Sequence, residues 1–164
     1  MRPTSGSARW LARPVLLLVL VTAGCQPARS PHSTAAGLAP TLDELRNTTY
    51  FGIEGPGDTL TLRNGSWVGQ PPDPASEVRP TASYLRDLRL VGDLDGDGTE
   101  EAVAFLDYSG GGSGDFLNIA VMNRGKDGIR QLAATTVGDR VQVRGARIEN
   151  RAIMLDLVQA GQAD

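Results

Sequence analysis

The sequence predicts a mostly β fold: one small antiparallel β domain with a single short N-terminal helix, following a signal segment and a flexible tether. Three observations predict it. Apolar and polar residues alternate, as in Leu60-Thr61-Leu62-Arg63 and Leu88-Arg89-Leu90, which is the period of a strand with one buried face. Turn pairs such as Asn64-Gly65 and Asp127-Gly128 punctuate these runs, and Asn-Gly favours the positive φ of a tight hairpin. Finally, Ala102-Val103-Ala104-Phe105-Leu106 has no polar break, as expected of a strand covered on both faces.

The elements follow in order from residue 41. Thr41-Leu42-Asp43-Glu44 has the form of a capping box, in which the threonine caps the helix and Glu44 reaches back three residues. Leu42 and Leu45 share one face of that short helix. From Tyr50 onward the pattern is β. Leu60 to Arg63 reads as a strand, Asn64-Gly65 as a hairpin turn, and Ser66-Trp67-Val68 as the start of the return strand. Between Gly69 and Pro80 lie four prolines, Pro71, Pro72, Pro74 and Pro80, the mark of an exposed loop. Leu85 to Val91 is the next strand, followed by Ala102 to Leu106 and, beyond a glycine loop, Phe116 to Met122. Lys126-Asp127-Gly128 turns the chain again, and apolar segments follow around Leu132, Val141–Val143 and Ile153–Val158. Only six residues follow Val158, an ending that fits a true edge strand and a shortened chain equally.

The N-terminus carries a different signal. Arg2, Arg9 and Arg13 precede the greasy run Val15 to Leu20, and no acidic residue falls in the first 24 positions. A basic region, a short apolar core and small residues before a cut are the parts of a secretory signal. Pro14 to Ala23 is about half the length that a transmembrane helix needs. The run ends Val21-Thr22-Ala23-Gly24-Cys25, which resembles the lipobox of bacterial lipoproteins, with Thr22 where that pattern prefers leucine. The resemblance implies cleavage before Cys25, lipidation of Cys25, and a lasting membrane anchor, because several acyl chains hold where one holds only marginally. The expected organisation is a signal peptide over 1–24, a lipidated cysteine and tether over 25–40, and a β domain over 41–164. Gln26 follows the lipid cysteine; by analogy with lipoprotein sorting, that favours the outer membrane and a domain facing the periplasm.

Composition narrows the function classes. The chain has 16 basic and 19 acidic residues. Three of the arginines lie within the first 24 positions, so the remainder carries a net charge of −6. Nucleic acid is therefore not an expected partner, since it demands a basic face. Cys25 is the one cysteine and His32, in the tether, the one histidine. Disulfides, thiolate or histidine metal sites and histidine-based catalysis in the domain are thereby excluded.

The clearest chemistry lies in Gly92-Asp93-Leu94-Asp95-Gly96-Asp97-Gly98-Thr99-Glu100-Glu101. Asp93, Asp95 and Asp97 stand at positions one, three and five of a tight turn, Gly98 allows the sharp bend at six, Thr99 offers a carbonyl at seven and Glu101 a carboxylate at nine. Hard oxygen donors in this order suit Ca²⁺, with water completing the sphere. A bare turn needs one aspartate, not three at alternate positions. Position twelve is Ala104 where an EF-hand requires glutamate, and strands flank the loop. It resembles instead the calcium loops between strands of integrin-like FG-GAP and VCBS repeats, present here in one copy. The ion is expected to be structural, with a dissociation constant in the weak extracellular range of roughly 10⁻⁴ to 10⁻³ M.

Two further features bear on function. Gly110-Gly111-Gly112-Ser113-Gly114 lacks the lysine and the helix of a phosphate loop and reads as a loop that can contact a partner. Asp107 and Asp115 flank it, and paired carboxylates can hydrolyse glycosides, although solvated loop acids are the plainer reading. Taken together, Asn47-Thr48-Thr49-Tyr50, Gly92 to Gly98, Gly111-Gly112-Ser113-Gly114 before Phe116, Asn123, and Gly138-Asp139-Arg140-Val141 resemble proteobacterial envelope proteins of undefined function, sometimes joined to a META-type domain. That resemblance implies a secreted or lipid-anchored β domain and no reaction. The expected function is a calcium-stabilised binding or envelope-maintenance module, not an enzyme, with the membrane and an envelope protein or glycan as partners. The alternative is a carboxylate-dependent hydrolase of cell-wall or polysaccharide material.

Overall fold

A computed structural model of the chain describes residues 38–53 and 59–159. The signal segment, Cys25 and most of the tether lie outside them. The packed domain begins slightly before its expected start. Ala39 and Pro40 are buried, and the Pro40 carbonyl accepts from an Arg89 guanidinium nitrogen at 2.5 Å.

The helix α1 (Leu42–Arg46) forms with its capping box complete: the Thr41 side chain accepts from the Glu44 N–H, and the Glu44 carboxylate accepts from the Thr41 N–H. Leu45 is fully buried and Tyr50 donates its phenolic proton to the Leu45 carbonyl at 2.7 Å. That bond satisfies a helix-end carbonyl which would otherwise be orphaned. Glu44 does more than cap. Both its oxygens meet the Arg124 guanidinium, 80 residues away, which pins the helix to the far end of the sheet.

This pair makes stability depend on pH. The Arg124 hydrogen bond, against an opposing desolvation, holds the Glu44 carboxyl down at about 2, from an ordinary 4.5. The fold therefore favours the ionised form. Its contribution is full above about pH 4.5 and is lost as pH falls toward 2. In thermal melts, the gap between wild type and Glu44→Gln should be widest at neutral pH and close across that window.

Among the described residues three antiparallel sheets follow. The first pairs β1 (Thr49–Phe51) with β2 (Thr59–Thr61), and the last pairs β8 (Val141–Glu149) with β9 (Ala152–Gln159). Between them runs a five-stranded sheet in the order β3-β4-β5-β6-β7, from β3 (Ser66–Val68) through β4 (Thr81–Gly92), β5 (Glu101–Ser109) and β6 (Phe116–Gly125) to β7 (Gly128–Asp139). The expected mostly β class is what the structure shows. One local expectation is corrected. Asn64 and Gly65 do turn with φ of 52° and 80°, and Arg63 and Ser66 close that turn with reciprocal main-chain bonds of 2.9 and 3.1 Å, but the expected return strand does not pair back. Beyond the single Arg63–Ser66 bridge the two arms part, β2 to β1 and β3 to β4. The turn is captured from both sides, its Gly65 N–H donating to Arg46 and its Gly65 carbonyl accepting from Tyr84.

The central strand β5 is buried along nearly all its length. Ala102, Ala104, Leu106 and Tyr108 face a core shared with Leu45, Tyr50, Leu60 and Leu62. Val103 and Phe105 face the opposite cluster, where Leu117, Ile148, Ile153 and Leu155 pack. The hairpin β8–β9 thus covers one face of the sheet, and α1 with β1–β2 covers the other. Strand β4 serves both cores by changing face. Tyr84 pairs with Leu106 but Arg89 pairs with Ala104, so four residues of β4 oppose one of β5. The odd excess flips the side-chain alternation: Ala82 and Tyr84 point to the first core, Leu88 and Leu90 to the second. Arg86 and Asp87 absorb the bulge with φ of 45° and 57°.

Candidate functional site

The acidic loop joins β4 to β5 at the edge of the second core. Its geometry is set by its own main chain. The Asp93 carboxylate accepts from the Gly96 N–H at 2.5 Å and from the Gly98 N–H at 3.2 Å, and Asp95 accepts from the Asp97 N–H at 3.0 Å. Gly96 and Gly98, with φ of 86° and 85°, supply the left-handed bends. Glu101, the first residue of β5, is fully buried, and one of its oxygens accepts from the Leu94 N–H at 2.8 Å.

Three of the four expected carboxylate ligands converge. One carboxylate oxygen from each of Asp93, Asp95 and Glu101 lies within 4.8 Å of the others. Asp97 is turned to Thr99 instead: the Thr99 N–H and hydroxyl both donate to one Asp97 oxygen, and these bonds hold the Asp97 carboxyl below the usual range. The decisive atom is the second oxygen of Glu101, which is buried and meets no donor among the described residues. A carboxylate has acceptor capacity for several donors, and leaving a buried polar atom unpaired costs about 1–3 kcal/mol, more when charged. Each pair of carboxylate charges at this spacing repels by roughly 3 kcal/mol at an effective dielectric of about 20. A hard divalent cation relieves both costs with oxygen ligands. The donor set therefore fits Ca²⁺, with carboxylates from opposite ends of the loop.

One neighbour was not legible beforehand. Arg151, in the β8–β9 turn, lays its guanidinium over Gly96, so any side chain at 96 would collide with it. With Asp95, Glu101 and Leu132 it lines a hollow of about 300 Å³ beside the loop.

The other expected features fall elsewhere. Gly110, Gly111, Gly112 and Ser113 are exposed in the β5–β6 connection, where Gly111 abuts Val78 of the proline-rich segment. Asp107 and Asp115 do come together. Both line a cleft of about 820 Å³ between the β4 bulge and β8. Asp107 follows Phe105 on the same face of β5, which carries it beneath the hairpin and leaves it half-buried. Desolvation first, and the Asp115 charge second, push its carboxyl up to about 6 from 3.8, with Arg86 opposing. Its ionisation therefore burdens the fold above about pH 6 and not below about 3.8. Asp107→Asn should melt higher than wild type at pH 7.5, with the gap closing as pH falls through that interval.

Neither a protein family, nor a curated protein, nor a solved structure matches this chain. What the loop and the cleft can do is decided by their own atoms.

Proposed function

We propose that the protein is a calcium-stabilised binding module held at a bacterial membrane by lipid on Cys25, with the domain facing the periplasm. The observation that carries this reading is the orphaned, fully buried oxygen of Glu101 beside Asp93 and Asp95. An ion bound there neutralises the β4–β5 turn and anchors the first residue of the central strand. The loop is continuous with the core that holds β8–β9, so the ion's contribution is to stability and to the alignment of that hairpin. Among the described residues no helix is long and apolar enough to cross a membrane; the anchor in this reading is the lipid.

Equilibrium dialysis of the full chain in detergent against radiolabelled calcium tests the ion. Saturable uptake with half-filling at roughly 0.1–1 mM, lost in Asp93→Asn, is the expected result, and no uptake overturns the metal. Fractionation of cells tests the anchor: Cys25→Ser should leave the membrane fraction, and its retention there would remove the lipid from the account.

A further inference from the structure

The cleft between the β4 bulge and β8 has features that the acidic loop does not use. Five consecutive residues of β4, Leu85 to Arg89, and six of β8, Val141 to Ala146, line it. The main chain there is open. Among the described residues strand β8 pairs only with β9, and the β4 bulge has no ladder partner between Tyr84 and Arg89. Half-buried Asp107 and exposed Asp115 also line the cleft, and their carboxylates accept no hydrogen bond among the described residues. Two neighbouring charges at this place are already committed: Arg89 to the Pro40 carbonyl and Asp87 to Arg46 at 2.9 Å. The floor between them is apolar, from Leu85, Leu88, Val141 and Val143.

We propose that this cleft binds an extended peptide segment, which adds along the open edge of β8 and places a lysine or arginine side chain between Asp107 and Asp115. Open strand edges recruit peptides through main-chain hydrogen bonds, and pockets for alternate side chains select among them. A cation between the two carboxylates supplies the donors both lack and offsets the repulsion by Asp115 that adds to the burial of Asp107. Arg86 and Arg144 lie at the exposed rim, where solvent screens them, whereas Asp107 is half-buried and its attraction is stronger. The occupant is a peptide and not a glycan because the open edge of β8, which no described strand but β9 pairs with, offers main-chain donors and acceptors that a strand can bond. This inference rests on the domain's being a binding module and not on its metal.

The test is selection of random heptapeptides displayed on phage against the full chain in detergent, with calcium and again with chelator. Enriched sequences should carry a basic residue. A fluorescent peptide from the selection should bind about tenfold or more weakly to Asp107→Asn and to Asp115→Asn, and should slow amide exchange over residues 141–146. Both variants keep side-chain shape, and Asp107→Asn is expected to gain stability, so lost binding would not reflect unfolding. No enrichment, enrichment without basic residues, or binding that survives the double variant would overturn the proposal. So would release of sugars from cell-wall glycan that is abolished in the same variants, the mark of a hydrolase. Capture of peptides by a chain that takes up no calcium would sink the metal and leave this cleft standing.

Discussion

Glu101→Gln will abolish the stabilisation of this domain by calcium without lowering its stability in chelator. The glutamine carbonyl can still accept the Leu94 N–H, which Glu101 now holds at 2.8 Å. Its amide group is a donor where the buried carboxylate oxygen has none, and it faces Asp93 and Asp95. One charge leaves a cluster of three, so the metal-free loop loses repulsion. The same change removes the buried ligand and gives any cation a donor to confront. Wild type should gain about 2.7 kcal/mol at a calcium concentration of about 100 times the dissociation constant, which is roughly 10 °C for a domain of this size. The variant should gain nothing. A Glu101→Gln chain that melted lower in chelator and still climbed with calcium would place the ion elsewhere.

Phe105→Ala should be the most damaging of the single core truncations. Phe105 is fully buried in the central strand; its face packs with Leu117 of β6 and with the partly buried Val143, Ile148, Ile153 and Leu155 of the β8–β9 hairpin. That hairpin shares no ladder with the five-stranded sheet; apolar contact holds it. Removing a buried phenylalanine ring costs about 3–5 kcal/mol, against a typical total of about 5–15 kcal/mol. The loss should be local as well as global. Amides of β8 and β9 should exchange sooner than those of β1, β2 and α1. Leu106→Ala, on the opposite face of the same strand, should reverse that order. Denaturant melts give the size of each effect and hydrogen exchange gives its location. Equal loosening of both faces by either variant would mean that the two cores are not separate.

What could be read in the chain beforehand was whatever short-range chemistry dictates. The capping box needs only Thr41 and Glu44 three residues apart, and it is formed. The unbroken run Ala102 to Leu106 requires two covered faces, and it has them. The spacing of Asp93, Asp95 and Glu101 brings carboxylates to one point because a tight turn leaves them no other direction. What escaped was long-range. Asn64-Gly65 makes its turn, but the pairing of β3 is set by β4, a strand that begins only at Thr81. The β4 bulge contains no glycine or proline to announce it; Arg86 and Asp87 take positive φ because β4 must present Tyr84 to one core and Leu90 to the other. The Glu44–Arg124 pair spans 80 residues, and Arg151 reaches the acidic loop only because β8–β9 folds back across the sheet. Asp97 fits the ligand spacing yet turns to Thr99, a choice between two local bonds that spacing alone does not decide.

The most direct test of the calcium loop is thermal unfolding of the full chain in detergent across a calcium titration that begins in chelator, with Asp95→Ala alongside. An ion bound only by the folded form must raise the midpoint as its concentration rises. The account predicts a steady climb for wild type and a flat line for Asp95→Ala. A wild-type midpoint that stays put up to about 10 mM calcium, well above the expected affinity range, would contradict it and leave the three carboxylates as a bare turn.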